Sequence, residues 1–323
     1  MPILCNFATC KAEGKKDMKI VYMGTPDFAV RPLEKLLESG CEIVGVVTMP
    51  DKPSGRGHKI QFSPVKNFAL QHNLKLLQPE KLKDEQFLEE LRALNADLQI
   101  VVAFRMLPEV VWNMPKFGTI NLHASLLPQY RGAAPINWAI INGETTTGVT
   151  TFFLQHEIDT GNIILQQSVD IQPNDNAGTL HDKLMEIGSD LVVETVKLLE
   201  QGKITEKPQP FCQNLKLAPK IFKEDCRLDF SKQCVDLQNF VRGLSPYPAA
   251  WFEHNEITYK VFEAEAEKAE HNFEFGKIII DVETRLIASL RIAVSDGFLH
   301  IKNLQPAGKK RMNTEDFLRG NSF

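Results

Sequence analysis

Apolar and polar positions follow two different rhythms along this chain, and the change of rhythm divides it. From Lys19 to about Glu200, short apolar runs alternate with segments whose apolar residues return every three or four positions. Lys19 to Met23 reads as a strand. Gly24-Thr25-Pro26-Asp27 then turns into a helix ending near Ser39-Gly40. Strands are predicted at Glu42 to Thr48, Lys75 to Leu77 and Leu98 to Ala103, with helices at Pro64 to His72 and Asp84 to Leu94. This alternation implies a mostly parallel, Rossmann-like sheet with flanking crossover helices. Gly118 to His123 continues it as a further strand. A helix from Pro135 to about Ile141, strands at Gly148 to Gln155 and Asn162 to Ile171, and a long helix from Thr179 to Glu200 complete the first unit.

Past Gly202 the pattern changes. Residues 207–223 carry Pro208, Pro210 and Pro219 and read as an extended linker. From Lys197 to Lys223 six lysines face two glutamates, so the run is basic. A helix near Lys232 to Arg242 and the turn-rich Ser245-Pro246-Tyr247-Pro248 follow. Short strands are then predicted at Ala250 to Glu253, Ile257 to Glu263, Gly276 to Val282, Arg285 to Ala288 and Phe298 to Leu304. Strands of this number and length suit a small OB-like β-barrel, although periodicity alone does not separate a barrel from a sandwich. Residues 1–17, polar and irregular before Met18, are expected to be a disordered or non-native extension. The expected division is therefore 18–206, 207–223 and 224–323.

Composition changes this picture little. With 323 residues, 43% of them hydrophobic, the chain can bury two cores. No apolar run is long enough to cross a bilayer, and the lysines near the start follow the short apolar piece instead of preceding it, so a cytoplasmic protein is expected. The six cysteines form no Cys-x-x-Cys pair and have no nearby histidine set, so no metal is expected. A net charge of −4 argues against a protein that coats nucleic acid. Local charge is another matter. Besides the linker, Lys302, Lys309, Lys310, Arg311 and Arg319 cluster near the end, and Pro50-Asp51-Lys52-Pro53-Ser54-Gly55-Arg56-Gly57-His58-Lys59 makes a basic loop after a strand.

The chemistry concentrates in Asn121-Leu122-His123-Ala124-Ser125-Leu126-Leu127-Pro128-Gln129-Tyr130-Arg131-Gly132, followed by Asp159-Thr160-Gly161. On a strand ending at His123, the period of two sends Asn121 and His123 out of one face while Leu122 points inward. An amide beside an imidazole, with a carboxylate to orient the ring, suits an oxygen that gains negative charge during acyl transfer. This stretch closely resembles the active-site signature of formyltransferases that use 10-formyltetrahydrofolate. The resemblance makes Asn121, His123 and Asp159 the catalytic trio and Ser125, Leu126, Leu127 and Pro128 the folate-binding loop. Tyr130 stands where many relatives carry tryptophan, and Glu157 and Asn162 depart from the family's usual flanks around Asp159.

Other segments narrow the resemblance to the methionyl-tRNA branch of that family. They are Gly24-Thr25-Pro26-Asp27-Phe28-Ala29, the basic loop, Ala218-Pro219-Lys220-Ile221 and Gly243-Leu244-Ser245-Pro246-Tyr247-Pro248. The resemblance implies a monomeric enzyme without a metal that moves a formyl group from 10-formyltetrahydrofolate to the methionine of initiator methionyl-tRNA. Arg56, backed by Lys52 and Lys59, is the expected tRNA contact. Arg105 replaces a glycine common in relatives, next to a strand end, and is expected to point outward. An amino sugar nucleotide formyltransferase shares the trio and is the runner-up; the basic loop and linker count against it. The basic loop lacks a Gly-Lys-Ser or Gly-Lys-Thr step, and Gly24 lacks the companion glycines of a dinucleotide turn, which sets triphosphate and dinucleotide binding aside.

Overall fold

The computed structural model describes residues 18–54, 59–284 and 287–321; the 1–17 extension and Arg56 lie outside the described residues. The first unit begins with β1 (Lys19–Gly24), α1 (Val30–Glu38) and β2 (Glu42–Val47). A hairpin of β3 (Lys52–Ser54) and β4 (Lys59–Gln61) follows, then α2 (Pro64–Gln71), β5 (Leu76–Leu77), α3 (Glu85–Ala93) and β6 (Leu98–Val102). A short α4 (Glu109–Trp112) leads to β7 (Thr119–His123), and β8 (Arg131–Gly132) and α5 (Pro135–Ile141) come next. β9 (Thr146–Phe153), β10 (Ile163–Asp170) and the long α6 (Ala177–Glu200) close this half.

Seven of these strands form one sheet in the order β10-β9-β7-β6-β1-β2-β5. Pairing is parallel from β7 to β5, and β9 and β10 join antiparallel at one edge. Strand alternation serves both faces. Ile20 and Tyr22 enter one core with Leu33, Leu122, Leu180 and Leu184, while Val21 and Met23 enter another with Phe87, Leu91 and Val111. Within the buried strand β6, Gln99 is the polar exception, and Thr119 Oγ1 donates to its side-chain oxygen at 3.1 Å. The helix α6 starts with a reciprocal capping box between Asn176 and Thr179. Its Gly188 lets β7 approach closely, since a Cβ there would lie 2.9 Å from Leu122 Cδ2. Leu122 therefore faces α6, and Asn121 and His123 face the other way.

The remaining elements are β11 (Leu217–Ala218), α7 (Cys234–Leu244), β12 (Ala250–His254), β13 (Ile257–Lys268), β14 (Ile278–Thr284), β15 (Ile287–Val294), β16 (Gly297–Pro306), β17 (Met312–Asn313) and α8 (Thr314–Leu318). β12-β13-β16-β15-β14 pair antiparallel in that order, with β17 added to β16, and curl into a half-barrel. Its core joins Leu237 and Val241 of α7 to Phe252, Ile292, Leu299 and Phe317. β13 runs to Lys268, five residues beyond its expected end at Glu263, after register shifts around Glu263.

The two halves are docked at close range. Asn137 Nδ2 donates to Gly243 O at 2.7 Å, and Arg242 Nε to Asp175 O at 2.8 Å. A Cβ on Gly243 would lie 2.9 Å from Asn137 O, so only glycine allows α5 and α7 this contact. Among the described residues no helix is long and apolar enough to cross a membrane.

Candidate active site

The parallel strands β1, β6 and β7 end on the same edge, where ligands meet sheets of this kind. β7 carries the proposed oxyanion pair. Asn121 is half-buried, and its side-chain amide has no hydrogen-bond partner among the described residues. It is available to a ligand. His123 is only 6% exposed and directs Nε2 to Tyr130 O at 2.8 Å. A carbonyl only accepts, so the ring proton sits on Nε2 and Nδ1 is the nitrogen left for chemistry. Nδ1 lies 3.8 Å from Asp159 Oδ2, an ion-pair distance longer than a direct hydrogen bond. All three residues of the expected trio thus meet at one edge.

The loop after β7 is secured by its neighbours in the sheet. Thr150 Oγ1, opposite His123 on β9, donates to Ser125 O at 2.7 Å and accepts from Leu127 N at 3.2 Å. Gln166 Nε2 on β10 donates to Leu127 O at 3.0 Å, and Ser125 Oγ to Gln129 O at 2.7 Å. Ser125 and Leu127 are buried, Leu126 and Pro128 partly so. Tyr130, at φ +60°, closes the loop, donating from its backbone N to Lys216 O at 2.7 Å and from Oη to Glu144 at 2.5 Å. Burial, with the bond to Glu144, pushes its phenol well above the usual range. Burial alone would raise the Glu144 carboxyl, yet hydrogen bonds from Lys216 and Tyr130 hold it below its ordinary value.

The Asp159 loop is built differently. Gln155 to Ile158 are exposed, and Asp159 adopts a left-handed φ of +54°, which costs about 1–2 kcal/mol in a non-glycine residue. Gly132 N donates to Asp159 Oδ2 at 2.9 Å. Gly132 itself has φ +125°, and a Cβ would sit 2.4 Å from Ala218 O in the paired strand β11. Gly161 presses on β9, where a Cβ would fall 1.6 Å from Phe153 O. The linker supplies the remaining hold. Lys207 and Ile163 exchange backbone hydrogen bonds at 2.7 and 2.9 Å, and Gln209 Nε2 donates to Asp159 O and Gly161 O at 2.8 and 2.9 Å. Asn162, one of the unusual flanking residues, donates to Glu206 at 2.8 Å.

Sequence reasoning missed Gln209 as part of this site and gave Arg131, though inside the signature stretch, no role of its own. The proline pair around Gln209 marks an extended segment but carries no sign of what the segment crosses. Of the expected tRNA contacts, Lys52 pairs with Gln61 and Lys59 with Ser54 in the β3–β4 hairpin, while Arg56 lies outside the described residues. The hairpin base is braced. Lys66 pairs with Asp51 at 2.5 Å and, together with Gln78, holds that carboxyl below its usual range. Arg105 does not point outward as expected. Its guanidinium donates to the carbonyls of Pro79 and, at 2.8 Å, Glu80, tying the segment after β6 to the one before α3. No group of three or more metal-ligating side chains is found among the described residues.

Comparison with known proteins agrees with this architecture. The family model described as formyl transferase matches residues 18–196, and the one described as formyl transferase, C-terminal domain, matches 220–322. Methionyl-tRNA formyltransferase of Bacteroides fragilis is 57% identical over 314 residues, covering 95% of this chain and 96% of that protein. Among solved structures, WlaRD, a sugar 3N-formyl transferase in the presence of dTDP and 5-N-formyl-THF, gives a TM-score of 0.63 at 22% identity, over 91% of this chain and 100% of its own. HypX from Aquifex aeolicus in complex with tetrahydrofolic acid gives 0.62 at 18% identity over 94% of this chain, which spans 47% of that protein. At those identities the structural likeness establishes the fold.

Proposed function

Because the chain belongs to the methionyl-tRNA formyltransferase family, we propose that its formyl transfer to methionyl-tRNA runs through Asn121, His123 and Asp159. The donor is 10-formyltetrahydrofolate. The single observation that carries this reading is the convergence of the three side chains at the sheet edge, with His123 Nδ1 facing the Asp159 carboxylate.

The α-amino nitrogen of the esterified methionine attacks the formyl carbon, forming the new C–N bond as the carbonyl π electrons move to oxygen. The Asn121 amide donates to that oxygen, and His123, when Nδ1 carries a second ring proton besides the one on Nε2, donates from Nδ1. Asp159 orients the imidazolium and accepts the amine proton, relayed through water. The carbonyl then re-forms, the bond to folate N10 breaks, and N10 takes up the proton that Asp159 received from the amine, returned through water, as tetrahydrofolate leaves. Ser125, Leu126, Leu127 and Pro128 line the folate side. Their hold on Thr150 and Gln166 supports a preformed surface there.

The tRNA is read as the initiator species, gripped by Lys52, Arg56 and Lys59 of the basic sequence segment, of which Arg56 lies outside the described residues. The braced hairpin base supports that reading. So does the cleft between the halves, where Lys220, Lys223 and Lys260 stand beside Tyr247 and Trp251, a mixture suited to phosphates and unstacked bases. The enzyme acts as a cytoplasmic monomer. The test is formyl transfer from 10-formyltetrahydrofolate to charged initiator tRNA, beside charged elongator tRNA, uncharged tRNA and an amino sugar nucleotide. Product on the charged initiator alone is expected; equal product on the elongator would remove the initiator restriction, and product on the sugar would overturn the acceptor assignment.

A further inference from the structure

Gln209 uses every hydrogen-bonding group of its side chain within the proposed site. Its Nε2 donates to Asp159 O and Gly161 O, and its Oε1 accepts from Arg131 Nε and Nη2 at 3.1 and 2.6 Å. The reverse orientation of the amide would set its oxygen against two carbonyls and its hydrogens against a guanidinium, so the network admits one orientation. Arg131 precedes Gly132, whose N–H holds the Asp159 carboxylate. The contacts therefore close a circuit: Asp159 main chain, Gln209, Arg131, Gly132, Asp159 carboxylate.

We propose that Gln209 is a positioning residue for formyl transfer, fixing the Asp159 main chain so that its carboxylate keeps its station opposite His123. The inference rests on the assignment of Asp159 given above. Asp159 is left-handed in an exposed loop, and Gln209 is the one side chain bonded to both its carbonyl and that of Gly161 among the described residues. Thr160 contributes only a local bond, from Oγ1 to Glu157 O at 3.0 Å. Freed from Gln209, the loop keeps the carboxylate but not its placement, and small displacements of a reacting group are costly in rate.

Gln209→Glu tests this directly. The carboxylate still accepts from Arg131 and keeps the size of the side chain, but it cannot donate to the two carbonyls. With charged initiator tRNA and formylated folate, kcat is expected to fall about ten- to a hundredfold, while KM for both substrates and the melting temperature stay near wild type. Gln209→Met, which removes the donors without adding charge, is expected to show the same split and covers the case in which the glutamate disturbs folding. Each change is also placed in an Asp159→Asn background, where it should cost nothing further, because both act on one carboxylate. Full turnover in both Gln209 variants, or equal losses with and without the Asp159 carboxylate, overturns the proposal. Full turnover in Asp159→Asn alone overturns the assignment of Asp159 and this inference with it.

Discussion

The two loops that meet at the site differ in what holds them. The first part of the loop after β7, Ser125 to Leu127, is fastened by Thr150 and Gln166, its neighbours in the same sheet, and only its far end, Gln129 and Tyr130, bonds to the linker at Asn214 and Lys216. The Asp159 loop is exposed on its outer side, with Ile158 59% accessible, and its main chain is held at Asp159 and Gly161 by Gln209 and at Ile163 by Lys207, both beyond the end of α6. The side proposed to meet the oxyanion thus leans on the sheet, and the side that carries Asp159 depends on a strap at residues 207–209. Preorganised donors gain most from rigidity, because their dipoles need no rearrangement during reaction. A carboxylate that handles a proton tolerates adjustment, provided something returns it to place.

This contrast orders the expected effects. His123→Ala strikes where the two loops meet and should lower kcat about a hundred- to ten-thousandfold. Melting curves run beside the kinetics separate catalysis from folding; unchanged turnover per folded molecule would contradict the assignment. Asn121→Ala should cost about a hundred- to a thousandfold in kcat. Stability should hardly move, since the amide has no hydrogen-bond partner among the described residues, and a matching loss of stability would show that Asn121 is structural. Thr150→Val keeps the shape of the residue but strips partners from Ser125 O, Leu127 N and Gln166, and should lower unfolding stability by about 1–3 kcal/mol in urea titrations. A negligible change would mean that the inner loop is held no better than the outer one.

The smallest effect concerns pH. The Glu144 carboxyl, held below its ordinary value of 4.5 by Lys216 and Tyr130, ties the end of the inner loop to Lys216 of the linker. A depressed carboxylate stabilises the fold fully above its unfolded pKa, and that contribution drains away as pH falls from about 4.5 through the folded value. Melting temperature followed downward from pH 6 should show this loss in wild type and lack it in Glu144→Gln. Parallel curves for the two proteins would remove this tie from the account.

Much of the inner loop was legible in the sequence because its parts are close neighbours along the chain. Asn121 and His123 sit two apart on a strand, and one alternation rule placed both on one face. The strap was not legible. Gln209 reaches Asp159 and Arg131 across 50 and 78 positions and binds carbonyls at one end, which leave no trace in side-chain pattern. Arg105 was misjudged for the same reason: its acceptors are the backbone oxygens of Pro79 and Glu80, which any residue supplies. In the half-barrel, β13 outran its expected end because Glu263 to Lys268 is poor in strand-forming residues. Pairing with β16 holds it extended all the same, with Ala264 buried between glutamates. β15 likewise runs past Ala288 to Val294, its apolar rhythm broken by Arg291, whose guanidinium lies over the Phe298 ring.

The strap also sets an order of completion during synthesis. A chain leaving the ribosome exposes Asn121, His123 and Asp159 long before Gln209 and β11, so the first half can finish its sheet while the acid loop still lacks its fastening. If Asp159 has the proposed role, catalytic competence would then be a late event, waiting for the segment leading into the half-barrel to reach the Asp159 loop. Cutting the protein at the seam after α6 would leave the Asp159 carboxylate on Gly132 N but take away the side chain that holds the Asp159 and Gly161 carbonyls.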